Sequence, residues 1–202
     1  MSLEMTHDNK TDKFVVAGDF LDIGIPNQDG LTFSDKTIDW LLNDPTFKDG
    51  LERRIYPAYI EHPADNTPGF RMTEAGFLID CHREGNKLHG AIELLESTDE
   101  GKYIRDLYKR GIKPGVSIRA NGCTDTGGYP GTTTGPIDFY GFDFVMLPAF
   151  KYAVPIPLAA SRRTRSQRAA IRLTSTSRQL ADIRKSALCE LLYKSHFSNQ
   201  KL

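Results

Sequence analysis

GFLIDCHREGNKLHGAIELLE, residues 76–96, reads as two strands joined by a two-residue turn. Apolar and polar residues alternate on both sides of Gly85-Asn86, a pair suited to the tight turn of a hairpin. Pairing Glu84 with Lys87 sets Cys81 opposite Gly90 and His82 opposite His89. Period-2 alternation then assigns Phe77, Ile79, Cys81, Ile92 and Leu94 to a core face. Asp80, His82, His89 and Glu93 fall on the other face.

Working outward, KFVVAGDFLDIG (13–24) is expected as a strand and IPNQDG as a turn. Ser34 or Asp35 caps a short helix, DKTIDWLLN, that stops before Pro45. RRIYPAYIEHP (53–63) reads as a strand, with Pro57 favouring an edge or a bulge, and ADNTPG as a loop. Beyond the hairpin, Ser97-Thr98-Asp99-Glu100 has the capping-box pattern and opens a helix through Lys109-Arg110, with Gly111 at the C′ position. Acids in its first turn and bases in its last match the macrodipole. GVSIRA (115–120) is a strand, NGCTDTGGYPGTTTG a loop, and PIDFYGFDFVMLP (136–148) a last strand. Strands outnumber helices, so the fold class is a β-rich α/β domain over residues 13–158, preceded by a polar arm, 1–12, expected to be disordered.

The chain has 202 residues with 26 basic and 26 acidic side chains, so its formal net charge is zero. That balance hides an asymmetry. Residues 159–202 carry ten basic and two acidic groups, a net +8, which leaves −8 on the remainder. The tail divides into a basic, Ser/Thr-rich linker and a candidate amphipathic helix, 177–197, capped by Ser177. No apolar run approaches the roughly 20 residues needed to span a bilayer, and the N-terminus lacks the apolar region of a secretion signal. Neither membrane insertion nor secretion is therefore expected. Cys81, Cys123 and Cys189 are odd in number and widely spaced, which fits a reducing compartment better than a disulfide framework.

The stretch GVSIRANG (115–122) poses the chemical question, because Ser117 stands two residues before Arg119 between glycines. A serine hydroxyl needs a base within hydrogen-bond reach and a third group to orient that base. Of the five histidines, His7 and His196 lie near the chain ends, and His82 and His89 share the hairpin's polar face. His62 remains, at a strand-to-loop boundary of the kind where sites are built. The hydrolase elbow GxSxG is absent, since Arg119 occupies the place where its helix would start. Residue pattern alone reaches a candidate Ser–His pair and stops there.

The order of motifs reaches further. His62-Pro63 is followed by the hairpin with Gly90-Ala91-Ile92, then Thr98-Asp99-Glu100-Gly101, Gly115-Val116-Ser117-Ile118-Arg119, and Asp143-Phe144-Val145-Met146-Leu147-Pro148. Over residues 13–158 this resembles the prohead (capsid-maturation) proteases of tailed phages, the T-even type especially, which are related to the herpesvirus assemblins. The resemblance implies a herpesvirus-protease-like β-barrel and a serine endopeptidase acting on scaffold and major capsid proteins. It implies Ser117 as nucleophile, His62 as general base, and Asp143 as third member, with Asp138 on the same strand as the alternative. Arg119 matches the motif arginine and is expected to support the oxyanion. The motif departs from the family's S-S-R-G, reading Ser117-Ile118-Arg119-Ala120 with glycine delayed to Gly122. The resemblance also implies a homo-oligomer without cofactor, located inside the immature head in the host cytoplasm, whose tail is autoprocessed or covers a neighbour's site.

Three other readings compete. His82 and His89 with Asp80 and Glu93 form a possible zinc set, but that face reads as solvated and neither CxxC nor HExxH supports it, so no metal is expected. The basic tail attracts phosphates, yet residues 162–172 contain no aromatic for base stacking. An acidic scaffold protein therefore ranks ahead of nucleic acid as its partner. Finally, a non-catalytic capsid or scaffold component could keep this fold, although it would have no reason to retain His62, Ser117 and Asp143 together.

Overall fold

The computed structural model describes residues 13–64, 71 and 73–158. The expected arm (1–12), linker and tail helix (159–202) lie outside the described residues. At the centre is the hairpin: β4 (Gly76–Glu84) and β5 (Lys87–Leu94) pair antiparallel, with Glu84 on Lys87, Cys81 on Gly90 and His82 on His89. Gly85 supplies the positive φ, 62°, that the tight turn requires.

The face assignment differs from expectation in β4's first half. A bulge between Leu78 and Asp80 adds a residue against β5 and inverts the alternation there. Leu78 is therefore buried with Cys81, Leu88, Ile92 and Leu94, while Phe77 and Ile79 are only half-buried.

β1 (Val15–Asp22) joins the far side of β5, with Gly18 opposite Gly90. The five-stranded sheet runs β3 (Pro57–Ala58), β4, β5, β1, β8 (Ile156–Pro157). A second sheet sets β7 (Gly131–Val145) between β2 (Leu31–Thr32) and β6 (Gly115–Thr124). The expected strand at 53–63 shrinks to two residues, because a helix runs to Arg53 and the segment after Ala58 leaves β4 to pair with Phe144. Phe20 meets Phe142 edge-on at 4.8 Å, in a core that also holds Val16, Leu78, Ile92, Ile104 and Val116.

Besides the parallel Ile23–Phe33 bridge directly after β1 and β2, two backbone seams join the sheets. Ile60 bridges Phe144 in parallel, with Phe144 N–H donating to Tyr59 O and Glu61 N–H to Phe144 O, both at 2.8 Å. Val116 N–H donates to Ala153 O at 2.8 Å at the other. The described residues thus form two open, stitched sheets; a closed barrel is not among them. Pairing at the first seam ends at Glu61, whose φ of 60° turns the chain away into His62-Pro63.

The helices follow from their caps. Ser34 caps α1 (Asp35–Asn43) by accepting from Thr37 N–H. α1 stops before Pro45 as expected, but Pro45 also begins an unexpected α2 (Pro45–Arg53): Asp44 caps it, and proline at the first position loses an N–H that would have no helical partner. α3 (Asp99–Lys109) is capped by Thr98 and not Ser97, so Gly101 and not Glu100 occupies the third position. That glycine is required by space, since a Cβ there would lie 1.9 Å from Leu95 O.

On the hairpin's polar face, His82 Nδ1 lies 3.0 Å from Asp80 Oδ2 and Nε2 lies 3.2 Å from Glu84 Oε1. The Asp80 hydrogen bond, with Glu84 assisting against partial burial, raises the imidazole pKa from 6.5 to about 9. A raised folded-state pKa stabilises the fold fully below the unfolded value and loses that stabilisation as pH rises through the folded one. Urea unfolding on either side of this window is expected to show stability falling between pH 6.5 and about 9, a slope that Asp80→Asn largely removes.

Candidate active site

The buried end of β7 carries one ionisable side chain, Asp143, with no solvent exposure. An isolated buried carboxylate would be strongly disfavoured, and here donors converge on it. Tyr59 N–H donates to Oδ1 at 3.0 Å, and Arg119 Nε–H donates to Oδ2 at 2.7 Å. His62 Nδ1 lies 2.8 Å from the same Oδ2. The carboxylate accepts from backbone and guanidinium, so the His62 contact requires Nδ1 to carry the proton. In neutral His62 that leaves a lone pair on Nε2. The imidazole is 42% exposed, so it reaches from a buried anchor to the surface.

The first seam holds His62 there. Tyr59 and Glu61 bond to Phe144, one residue beyond Asp143, which lays the 59–62 segment along the end of β7. Glu61's positive φ is uncommon for a non-glycine residue and is over-determined by its contacts. Its N–H bonds to Phe144 O, and its Oε1 accepts from Met146 N–H at 3.1 Å.

Ser117 on β6 pairs directly with Asp143 on β7. Residues opposite one another in an antiparallel pair project from the same face, with Cβ atoms about 4.5–5.5 Å apart. The half-buried Ser117 therefore stands beside the carboxylate that holds His62. Arg119, two residues on, shares that face and pairs with Gly141. Asp138, the alternative third member, is exposed opposite Asn121, about 16 Å along the strand from Asp143.

Arg119 is 3% exposed, and its guanidinium is turned to Asp143. Nη2 donates to Tyr140 O at 3.3 Å and to Pro57 O at 3.4 Å, and the group stacks 5.1 Å from the Tyr59 ring. A bulge makes this possible: Arg119 faces Gly141 but Ala120 faces Phe139, so Tyr140 is extra and offers its carbonyl. Burial, with Glu74 adding and Arg119 opposing, keeps the Tyr59 phenol above its usual pKa and so neutral.

Beside His62 opens a cleft of about 720 Å³, whose described lining includes Tyr59, Ile60, Glu61, Pro63, Arg71 and Glu100. The exposed Met146 (83%) and Leu147 (86%) follow β7 nearby. Sequence reasoning reached His62, Ser117, Asp143 and Arg119 but missed the Tyr59 N–H, Glu61 and Gly141. Only Gly141 had a readable signal, since a lone glycine within a strand marks a bulge or a close backbone approach.

His82 and His89 stay apart from this site. Their rings are 5.2 Å apart on the hairpin, and His89 Nδ1 lies 3.2 Å from Asp19 Oδ1. No group of three or more His, Cys, Asp or Glu among the described residues is arranged to hold a metal. No helix among them is long and apolar enough to cross a membrane.

No family model matches the sequence, and no curated protein does. Among solved structures, the chain is similar to the bacteriophage T4 capsid assembly protease, gp21, with TM-score 0.54 and 19% identity over 65% of this chain and 80% of that one. The chain has the fold of that capsid assembly protease. It is also similar to the KSHV protease solved with a hexapeptide phosphonate inhibitor, with TM-score 0.48 and 15% identity over 82% of this chain and 77% of that one. The resemblance to phage prohead proteases drawn from the motif order is borne out at the level of fold.

Gly141 gives a test of how tightly this site is built. A Cβ there would lie 2.4 Å from Pro57 O, on a backbone with φ of 149°. Gly141→Ala is expected to destabilise the protein by about 1–3 kcal/mol, measured by urea unfolding.

Proposed function

We propose that the chain is a serine endopeptidase that cleaves scaffold and capsid proteins while a phage head assembles. The observation that carries this reading is the bonded His62–Asp143 pair with Ser117 directly across the strand pair from Asp143. The capsid assembly protease fold supports it.

In this reading Ser117 Oγ attacks the scissile carbonyl carbon while His62 Nε2 takes its proton. Asp143 holds the Nδ1–H tautomer and stabilises the imidazolium that forms. The imidazolium then protonates the leaving amine as the C–N bond breaks, which leaves an acyl group on Ser117. A water, deprotonated by His62, attacks that ester and regenerates the serine. The step requires His62 Nε2 within hydrogen-bond reach of Ser117 Oγ in the substrate complex. The cleft beside His62 is where an extended peptide would lie, with Met146 and Leu147 presenting apolar contact at its rim.

Scaffold and major capsid proteins are the proposed substrates, and the basic tail is both a docking segment for an acidic scaffold and a candidate for self-cleavage. A homo-oligomer inside the immature head, in the host cytoplasm, is the proposed setting.

Wild type and Ser117→Ala, each incubated with the scaffold and major capsid proteins encoded beside it, test this by intact mass spectrometry. Discrete fragments are expected with wild type, and a loss on the order of 10⁵–10⁶ in rate with Ser117→Ala. Cleavage by the alanine variant at the wild-type rate would remove Ser117 from the mechanism. Absence of cleavage by both would favour a non-catalytic capsid component.

A further inference from the structure

We propose that Arg119 is a positioning residue for His62, acting through Asp143 and not on the substrate. This rests on the endopeptidase reading for its catalytic meaning, although the physical coupling it describes does not. The geometry is specific: Arg119 Nε and His62 Nδ1 share one oxygen, Asp143 Oδ2, at 2.7 and 2.8 Å. The other oxygen is taken by Tyr59 N–H. The carboxylate is thereby held from behind by the guanidinium and from the side by the backbone, and it presents a single oriented lone pair to the imidazole.

Charge matters as much as direction. An arginine is ionised at every working pH, and Arg119 lies against a carboxylate with no solvent exposure. The screening of Asp143 by solvent is slight, so compensation of its charge falls to Arg119. A fully uncompensated Asp143 would hold a proton on His62 and withdraw it from service as a base. Arg119 offsets part of that charge at the same oxygen that orients His62 Nδ1–H. Other charges face this region less directly. Glu61 Oε1 is engaged with Met146 N–H, Arg71 and Glu100 stand on the cleft wall, and buried Glu74 accepts from Arg71 N–H.

This also accounts for the Ser-x-Arg spacing. Two residues apart on β6, Ser117 and Arg119 share a face, the first opposite Asp143 and the second opposite Gly141. An oxyanion donor would have to aim its N–H groups at substrate, whereas the Arg119 side chain is 2% exposed and stacked under Tyr59.

Two NMR measurements on the full chain without substrate test the proposal. In wild type, the Arg119 Nε–H resonance is expected to move with the same midpoint as His62 Cε1–H, because both report on one oxygen. Asp143→Asn should abolish that tracking. In Arg119→Gln, the His62 titration is expected to move to higher pH by about one to two units, with the acid limb of kcat/KM following and KM unchanged. An Nε–H that ignores His62, or a folded Arg119→Gln with an unmoved titration, would overturn the proposal. If Arg119→Gln does not fold, the wild-type tracking decides alone. Should wild type cleave no protein at all, the endopeptidase reading falls while these titrations still decide whether Arg119 governs His62.

Discussion

A carboxylate taken out of water is the constraint on which this structure turns. Burying an ionised Asp143 in the protein interior is disfavoured by several kcal/mol unless donors surround it. The chain answers with a backbone N–H from Tyr59, a guanidinium from β6 and an imidazole from the segment after β3. These donors come from stretches separated by 81 and 24 residues from Asp143, so the carboxylate can be satisfied only when the sheets have come together. Its pairing reports on the whole fold, and removing any one donor leaves the others holding a buried charge.

The same convergence brings Ser117 beside the anchor of His62 because of how strands project side chains. Direct cross-strand pairing brings Ser117 to the face of Asp143 without any loop. The imidazole arrives along a seam in which Tyr59 and Glu61 bond to Phe144, ended by the positive φ of Glu61. Precision therefore comes from strand register and two backbone hydrogen bonds, which are stiff, while His62 itself stays partly exposed. The cleft opens on the side where pairing stops.

Much of this was legible in the sequence. The hairpin register followed from Gly85-Asn86 and the flanking alternation, and α1 followed from a cap at Ser34 or Asp35 and a stop before Pro45. Ser117, His62 and Asp143 were reached through the order of motifs, not through any one of them. Three features were hidden for physical reasons. Pro45 reads equally as a stop or as a first helical residue, and only the Asp44 cap decides. The bulge at Ile79 breaks period-2 alternation with no glycine to announce it. The orientation of Arg119 depends on a second bulge at Tyr140 and on Gly141 yielding space; the glycine announces a bulge or a close approach, but not which side chain fills the room.

Covalent labelling with a peptidyl aryl phosphonate tests the nucleophile most directly, because such reagents trap a serine that its own histidine activates. Intact mass and peptide mapping are expected to show one adduct per chain, on Ser117, formed by wild type and not by His62→Ala. An adduct on another residue, or equal labelling of the His62→Ala variant, would contradict an activated Ser117.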